Sequence, residues 1–337
     1  MAIFFTSQIG LGHATRDIAI AETLNADLLF VSGEGAAELL TRKGYRTIDV
    51  YRPQKFDVES GQLRHSFRWL MDYYSYYKKC KATAKVILDE HEGLVISDED
   101  FASISIAEEK SRRRVIITDS TETHFTTGAA SFVERKMNKT MQKMMGRCDC
   151  VIIPDAGQDR DNVVHVGPIV RRVSADRDSL RKILGFTKKT IVLSVGGTDA
   201  GGYLIEKTIE AYRKLYSRLD AELVIVSGPS LKLPDIQDYR NLGFVDNLHE
   251  LIFASDLVVS LAGRSTIDES IAFGTPGIFI PIRGHFEQEE GAARLGYEYD
   301  DINRLEVLIE EKLGNRNDAA DAKGAERAAK IISGLSN

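Results

Sequence analysis

Short apolar runs alternate along the chain with longer stretches whose apolar residues recur at helical spacing. In the first half the β-rich runs are Ile3 to Phe5, Leu28 to Val31, Thr47 to Val50, Leu94 to Ser97, Val115 to Thr118 and Val151 to Pro154. In the second half they are Thr190 to Ser194, Leu223 to Ser227, Asn241 to Phe244, Leu257 to Ser260 and Gly277 to Ile280. Strands in this rhythm predict an α/β protein with two doubly wound, Rossmann-like parallel sheets in series.

The segment HVGPIVRRV, residues 165–173, separates the two series. Gly167 and Pro168 interrupt regular structure there and suit a hinge. We therefore expect an N-terminal domain over residues 1–165 and a C-terminal domain over residues 166–337. The length of 337 residues fits two domains of ordinary size. The stretch from about Asp318 to Ile332 predicts a helix that either closes the second domain or crosses back to the first.

Composition and charge narrow the function classes. A formal net charge of -6 gives no general attraction to polyanions, so a nucleic-acid partner is not expected. The amino-terminal residues lack the pattern of a signal peptide, and no stretch has the length of a transmembrane span, which predicts a cytoplasmic protein. The cysteines Cys80, Cys148 and Cys150 are too few and too oddly spaced for a disulfide framework or a metal site.

A glycine-rich turn follows the first predicted strand in TSQIGLGHATRD, residues 6–17. Gly10 and Gly12 allow a tight turn, and the free N–H groups of the helix that follows favour an anion. The turn is therefore predicted to meet a phosphate or a sugar. Glycines in a strand-to-helix turn also serve packing alone, and this alternative stays open.

His13 and Arg16 lie just beyond that turn, at the sheet edge where open α/β folds bind ligands. We expect His13 to act as the catalytic base; the alternative is a histidine that only forms hydrogen bonds. Arg16 is predicted to pair with a diphosphate, or else with a surface carboxylate such as Glu34 or Asp17.

Three further segments of the second half carry candidate binding residues. IVLSVGGTDAGG, residues 191–202, places Gly196, Gly197 and Thr198 in a second glycine-rich turn suited to an anion. In SLAGRSTIDESIAFGTP, residues 260–276, Glu269 is predicted either to accept hydrogen bonds from ribose hydroxyls or to form a capping box with Thr266. In PIRGHFEQEE, residues 281–290, we expect a polar loop that offers His285, Glu287 and Gln288 to a sugar, or else a solvated loop that runs into an acidic helix start.

These motifs resemble those of family 28 glycosyltransferases, which include the peptidoglycan GlcNAc transferases of the MurG type. The similarity spans roughly Ile191 to Leu295 and is most specific in FVDNLHELIFASDLVVSLAGRSTIDESIAFGTPGIFIPIRGHFEQ. It implies a GT-B fold, with two Rossmann-like domains facing across a cleft, and a UDP-sugar donor of the UDP-GlcNAc type.

The resemblance also implies roles for individual residues. Val245 would contact uracil through its backbone, Thr198 the diphosphate, Glu269 the ribose, and Gln288 the donor sugar. Gly263 and Thr266 would shape a phosphate turn, and backbone N–H groups near Arg264 could hold the leaving diphosphate. In the family an asparagine commonly follows the glutamine, near the position of Gly291, and this sequence lacks it. No cofactor or metal is expected, because backbone N–H groups at helix starts can hold the leaving diphosphate.

The first half resembles MurG-like transferases whose first domain begins with a similar G-x-G-H-x-x-R motif. SQIGLGH and GGTD also resemble PseG-like UDP-sugar hydrolases of the same fold, whereas the E-Q pair favours a transferase. A transferase, a hydrolase and a non-catalytic sugar-nucleotide binding protein therefore all remain open.

Two segments leave the acceptor open. HSFRWLMDYYSYYKK, residues 65–79, interleaves aromatic and basic residues, which suits a glycan or lipid-linked acceptor, peripheral contact with the inner face of the membrane, or simple packing into the first domain. The methionine-rich residues 137–145 are predicted to be core or a similar surface. The oligomeric state does not follow from the sequence.

Overall fold

The computed structural model describes residues 1–24, 26–53, 58–63, 67–124, 130–197, 199–229, 231, 233 and 238–336. The chain divides into two compact units. The first unit comprises residues 1–55, 65–170 and 321–337, and the second comprises residues 56–64 and 171–320. The long segment of the second unit thus begins at Arg171 rather than at residue 166, and a short piece of the predicted first domain is part of the second unit.

The described strands, in chain order, are β1 (Ala2–Thr6), β2 (Leu28–Ser32), β3 (Arg46–Asp49), β4 (Val58–Glu59), β5 (Gln62–Leu63), β6 (Leu94–Asp98), β7 (Arg114–Ile117), β8 (Cys150–Ile153), β9 (Val163–His165), β10 (Lys189–Ser194), β11 (Ala221–Val226), β12 (Arg240–Asn241), β13 (Leu257–Leu261) and β14 (Gly277–Ile280). The described helices are α1 (Gly12–Ala21), α2 (Glu34–Arg42), α3 (Phe67–Glu90), α4 (Phe101–Glu109), α5 (Ala130–Met145), α6 (Arg177–Leu184), α7 (Gly202–Leu215), α8 (Leu248–Ala254), α9 (Arg264–Ala272), α10 (Phe286–Ala293), α11 (Leu305–Lys312) and α12 (Gly324–Leu335). Short 3₁₀ helices cover Asp199–Gly201 and Tyr299–Arg304.

Each unit contains a parallel sheet. The order in the first unit is β3-β2-β1-β6-β7-β8-β9, and in the second β12-β11-β10-β13-β14. The strand order reverses between β1 and β6 and between β10 and β13, and ligands of doubly wound folds bind beside such points, at the carboxyl edge. The predicted α/β class with two parallel sheets is confirmed. The strand β9 and the β4–β5 hairpin were not predicted from the sequence.

The central strands of both sheets are buried on two faces, which explains their continuous apolar sequences. In β10, Ile191 and Leu193 pack into one cluster of the second unit, whereas Val192 between them packs into another. Successive side chains of a strand point to opposite faces, so one strand supplies both layers of core. The same alternation places Phe5 of β1 in one layer of the first unit and its neighbour Phe4 against Phe30 of β2.

The last helix belongs to the first unit. The backbone N–H of Gly324 donates to the carbonyl of Pro168 at 3.2 Å, and Arg327 donates to the carbonyl of Val166 at 2.9 Å. A Cβ at residue 324 would lie 2.2 Å from that Pro168 oxygen, so only glycine permits the approach. The sequence left open whether this helix closes the second domain or crosses back to the first. In the structure it packs in the first unit.

The two segments left open for an acceptor pack at least in part into the first unit. Residues 65 and 66, and the side chains of 67–71 and 73, lie outside the described part of the chain. Beyond them, Tyr76 and Tyr77 pack against a core cluster, and Tyr74 is exposed. In α5, Met145 is buried in a second cluster. Within the described residues, every helix is too short or too polar to cross a bilayer.

Candidate active site

Helix α1 begins directly after the first glycine-rich turn and carries His13 in its first turn. The Nδ1 atom of His13 lies 3.1 Å from Oδ1 of Asp98, the last residue of β6. The Asp98 side chain is fully buried, whereas 19% of the His13 side chain is exposed. A terminal nitrogen of Arg16 also lies 3.1 Å from Nδ1, but it donates to the same Oδ1 of Asp98. An ionised carboxylate only accepts hydrogen bonds, so we assign the imidazole proton to Nδ1 as a second donor to Asp98, which leaves the lone pair on Nε2. This is the tautomer that a general base requires.

The electrostatics of this pair are set by burial and by the surrounding charges. Burial alone would lower the pKa of His13, but the charge and hydrogen bond of Asp98 outweigh burial, and the pKa is raised. Burial would raise the pKa of Asp98, but Arg16 and His13 outweigh it and hold the pKa well below its usual range. Asp98 therefore stays ionised at neutral pH.

Arg16 connects two carboxylates at the carboxyl edge of the sheet. Its Nε donates to Oδ2 of Asp98 at 2.6 Å, and its terminal nitrogens donate to Oδ1 of Asp98 and to Asp119. The Arg16 side chain is 4% exposed. The predicted alternative partners of Arg16, Glu34 and Asp17, are wrong, because the guanidinium instead donates to Asp98 and Asp119, at the ends of neighbouring strands. The predicted pairing of Arg16 with a diphosphate stays a prediction.

Glu99 supports the same cluster from an unusual backbone conformation, with φ of 60°. Its Oε1 accepts from Thr118 Oγ1 at 2.7 Å and from the backbone N–H of Asp119 at 2.8 Å. Non-glycine residues in this region of φ cost free energy and gather at functional sites. Sequence reasoning missed Asp98, Glu99 and Asp119, although the acidic run SDED ends a buried strand at the sheet edge and was a usable signal.

The turn itself contains Gly10 and Gly12. Gly10 has φ of 76°, a conformation that L side chains rarely adopt, and Gly12 is the first residue of α1. The turn therefore requires glycine at residue 10 for its conformation. Contact of either glycine with a ligand stays a prediction.

In the second unit, the turn after β10 needs two glycines. Gly196 has φ of 78°, and the Cα of Gly228 approaches it so closely that a Cβ there would lie 2.2 Å from the Gly196 carbonyl oxygen. Gly228, which follows β11, has φ of 72°. The loops after β10 and β11 are thus fixed against each other beside Gly197. Thr198 lies outside the described residues.

Helix α9 begins beside that turn, because β10 and β13 are paired with Ser194 opposite Ser260. Its N-cap is Gly263, and no side chain caps it among the described residues. The capping-box alternative for Thr266 and Glu269 is therefore wrong, since Thr266 lies inside the helix. Gly263 and the first N–H groups of α9 lie next to the Gly196 turn at the carboxyl edge of one sheet.

Glu269 is held by an arginine from the hinge segment. Nε and a terminal nitrogen of Arg171 donate to its Oε1 at 3.1 and 3.0 Å, and the two side chains are 3% and 4% exposed. Burial raises the pKa of Glu269, although Arg171 opposes this. The remaining terminal nitrogen of Arg171 donates to the carbonyl of Asp246 at 2.9 Å, next to Val245. Arg171 therefore joins the predicted ribose residue to the predicted uracil segment.

Two further candidates of the second unit, Val245 and Arg264, have protein contacts of their own. Val245 packs its side chain against a core cluster, so its predicted uracil contact through the backbone stays a prediction. Arg264 donates from Nε to Oδ2 of Asp268 at 2.9 Å.

The segment 281–290 is a loop only up to His285, because α10 begins at Phe286. Glu287 is exposed in the first helical turn, and Glu289 lies in the same turn, as the alternative of an acidic helix start expected of Glu289. Gln288 is half-buried, and its Oε1 accepts the backbone N–H of Ile282 at 3.0 Å. The side-chain carbonyl of Gln288 thus already has a protein partner, which leaves its amide NH₂ to offer to a sugar.

The chain is similar in sequence to known glycosyltransferases. Residues 191–331 match the glycosyltransferase family 28 C-terminal domain. An uncharacterized glycosyltransferase of Methanopyrus kandleri is 28% identical and covers 97% of this chain and 99% of its own length. The UDP-N-acetylglucosamine–N-acetylmuramyl-(pentapeptide) pyrophosphoryl-undecaprenol N-acetylglucosamine transferase of Clostridium botulinum is 25% identical, with 80% of this chain and 76% of that protein covered.

Among solved structures, that of the kitacinnamycin glycotransferase superposes with a TM-score of 0.65 at 14% identity, and the alignment covers 100% of this chain and 99% of that one. At this identity the similarity shows the fold alone. The chain is thus a glycosyltransferase with a GT-B fold, and its residues 191–331 are similar to the family 28 C-terminal domain.

Proposed function

We propose that this glycosyltransferase moves a sugar from a UDP-sugar of the UDP-GlcNAc type to an acceptor hydroxyl, with inversion and without a metal ion. The observation that carries the proposal is the pair formed by His13 and the buried Asp98, which lies at the carboxyl ends of the paired strands β1 and β6, where the strand order of the sheet reverses. This is the ligand-binding position of a doubly wound sheet, and in the base form of the pair the lone pair is on Nε2 of His13.

The reaction needs one proton transfer and one displacement. The acceptor oxygen attacks the anomeric carbon from the face opposite the diphosphate while Nε2 of His13 takes the hydroxyl proton. The new C–O bond forms as the bond from the anomeric carbon to the β-phosphate oxygen breaks, and the electron pair leaves with UDP. Asp98 stabilises the imidazolium that results, as a buried carboxylate does for a catalytic histidine.

The donor assignment rests on the second unit. The Clostridium botulinum relative is named for transfer from UDP-N-acetylglucosamine, and the family 28 domain of this chain contains the Glu269 that Arg171 holds. Oε2 of Glu269 receives neither of the two bonds from Arg171, so it has lone pairs to offer a ribose hydroxyl. A carboxylate that is already oriented loses little conformational freedom when a ribose binds.

Metal independence rests on backbone donors. The turn at Gly196 and the start of α9 at Arg264 lie at the carboxyl ends of paired strands. Their N–H groups and the positive end of the helix dipole favour a diphosphate without a cation.

Calorimetric titration with UDP, UDP-GlcNAc, GDP and ADP tests the donor, in buffer with and without EDTA. We expect binding selective for the uridine nucleotides and unchanged by EDTA; equal affinity for GDP or ADP would remove the donor assignment. Product analysis then separates the chemistries. UDP-GlcNAc that stays intact until an acceptor is added supports transfer, whereas free sugar released in water supports the hydrolase that the SQIGLGH and GGTD segments resemble.

A further inference from the structure

The β4–β5 hairpin comes from the first half of the sequence but packs within the second unit. Val58 and Leu63 face each other across the hairpin, and both pack against the large core cluster of that unit. A two-stranded hairpin of this length is not stable alone. Its conformation therefore depends on the surface to which it docks.

The hairpin holds one residue of the segment before α10 through two backbone hydrogen bonds. The N–H of Arg283 donates to the carbonyl of Gly61 at 2.8 Å, and the N–H of Leu63 donates to the carbonyl of Arg283 at 2.9 Å. Gln62 of the hairpin and Arg283 thus form an isolated parallel β-bridge.

The neighbours of Arg283 are bonded to α10. Ile282 donates its N–H to Oε1 of Gln288 at 3.0 Å, and Gly284 donates its N–H to Oε1 of Glu289 at 2.8 Å. The segment 282–284 is therefore fixed by the hairpin on one side and by two side chains of α10 on the other. A shift of the hairpin would be transmitted to Gln288 across one residue.

The hairpin packs against two aromatic side chains, Tyr203 and Tyr299. Gly61 has φ of 76°, and a Cβ there would lie 2.6 Å from the ring of Tyr203. Tyr203 stacks on Tyr299 with ring centroids 6.1 Å apart, and the Tyr299 hydroxyl donates to the carbonyl of Ser60 at 2.7 Å. The guanidinium of Arg283 lies over the Tyr299 ring, 4.3 Å from its centroid. Hairpin, aromatic pair and Arg283 thus pack as one unit.

We propose that the hairpin, residues 58–63, is a positioning element for the donor sugar, because it fixes the segment that orients the side-chain amide of Gln288. The inference rests on the proposed function, since it takes Gln288 as a sugar contact. Gly61 and Tyr299 act through Gln288 and are positioning residues. The residues proposed to bind the nucleotide do not depend on the hairpin in this way. Arg171 donates to Glu269 and to the carbonyl of Asp246.

This separation predicts a selective loss. Gly61→Ala should weaken binding of UDP-GlcNAc about tenfold, the scale of one lost hydrogen bond, and leave the Kd of UDP within about twofold. Tyr299→Phe removes the hydroxyl that reaches Ser60 and should act in the same direction with little risk to folding. Gly44→Ala is the matched control: its φ is 85°, and no described heavy atom lies within 4 Å of the added Cβ.

Calorimetry with UDP and UDP-GlcNAc on the full chain tests the inference. The double variant Gly61→Ala with Gln288→Ala should bind UDP-GlcNAc no more weakly than Gln288→Ala alone, because residues that act through one contact are not additive. Unchanged UDP-GlcNAc affinity in Gly61→Ala and Tyr299→Phe, or an equal loss for UDP, would overturn the inference. A wild-type protein that binds neither nucleotide would instead overturn the proposed function.

Discussion

Arg171 and Glu269 form a buried ion pair whose removal has a calculable cost. Breaking such a pair by taking away one partner leaves an uncompensated charge and costs about 3 to 5 kcal/mol. For a domain of this size each kcal/mol shifts the melting temperature by roughly 2 to 4 °C, so Arg171→Met and Glu269→Gln should each lower Tm by about 6 to 20 °C. The double variant should lose much less than the sum, because it buries no unpaired charge.

The pH dependence separates the two single variants. The pKa of Glu269 is already raised by burial, and Arg171→Met removes the charge that opposes this rise. A folded-state pKa above the unfolded value gives stability that is complete below the unfolded value of 4.5 and is lost as pH rises through the folded pKa. The Tm deficit of Arg171→Met should therefore shrink as pH falls from 8 towards 5 in a scanning-calorimetry series. The deficit of Glu269→Gln should not shrink for this reason, because the arginine left behind keeps its charge.

The matched control is an exposed ion pair of the same unit. Arg213 and Asp238 are 53% and 46% exposed, and Arg213→Met should cost about 1 kcal/mol or less. If Arg171→Met melts no lower than Arg213→Met, or if the double variant shows the sum of the single losses, the pair is not the coupled structural unit described above.

Three further predictions use activity, binding and melting. His13→Ala should lower turnover of UDP-GlcNAc by about 10²–10⁴ while the Kd of UDP stays near wild type, and unchanged turnover would remove His13 as the base. Asp98→Asn should move the acid limb of the pH–rate profile to lower pH, because Asp98 raises the pKa of His13, and should reduce the maximal rate; a limb that does not move contradicts this. Gly228→Ala should weaken UDP binding by displacing the carbonyl of Gly196, whereas Gly185→Ala, also at φ of 72° but with its added Cβ 3.7 Å from the nearest described atom, should only lower Tm; equal UDP affinity in both would refute the steric argument.

The central strands of both sheets could be predicted because each is a continuous apolar run bounded by turns, and this pattern is local. The edge strand β9 was missed because it has only three residues. The β4–β5 hairpin could not be predicted either, since two-residue strands have no periodicity and their partners, Tyr203 and Arg283, come much later in the chain. Its conformation is determined by tertiary contacts.

The candidate site divides in the same way. His13 could be found because it follows a glycine turn at the end of a strand. The pairing of His13 with Asp98 and of Glu269 with Arg171 could not be predicted from the sequence. The partners lie 85 and 98 residues apart in the chain, and contacts over such separations leave no recognisable spacing. The sequence shows two neighbouring arginines in the hinge segment, Arg171 and Arg172, and nothing in it indicates which one binds Glu269.

The path of the chain between the units has a consequence for recombining relatives of this protein. The chain leaves the first unit twice and returns twice, so each unit contains pieces from distant parts of the sequence. A chimaera cut once in the hinge would separate α12 from Pro168 and Val166, and the 58–63 hairpin from Arg283. Grafting of the second unit between relatives therefore requires residues 171–320 together with the matching hairpin, while the last helix stays with the first unit.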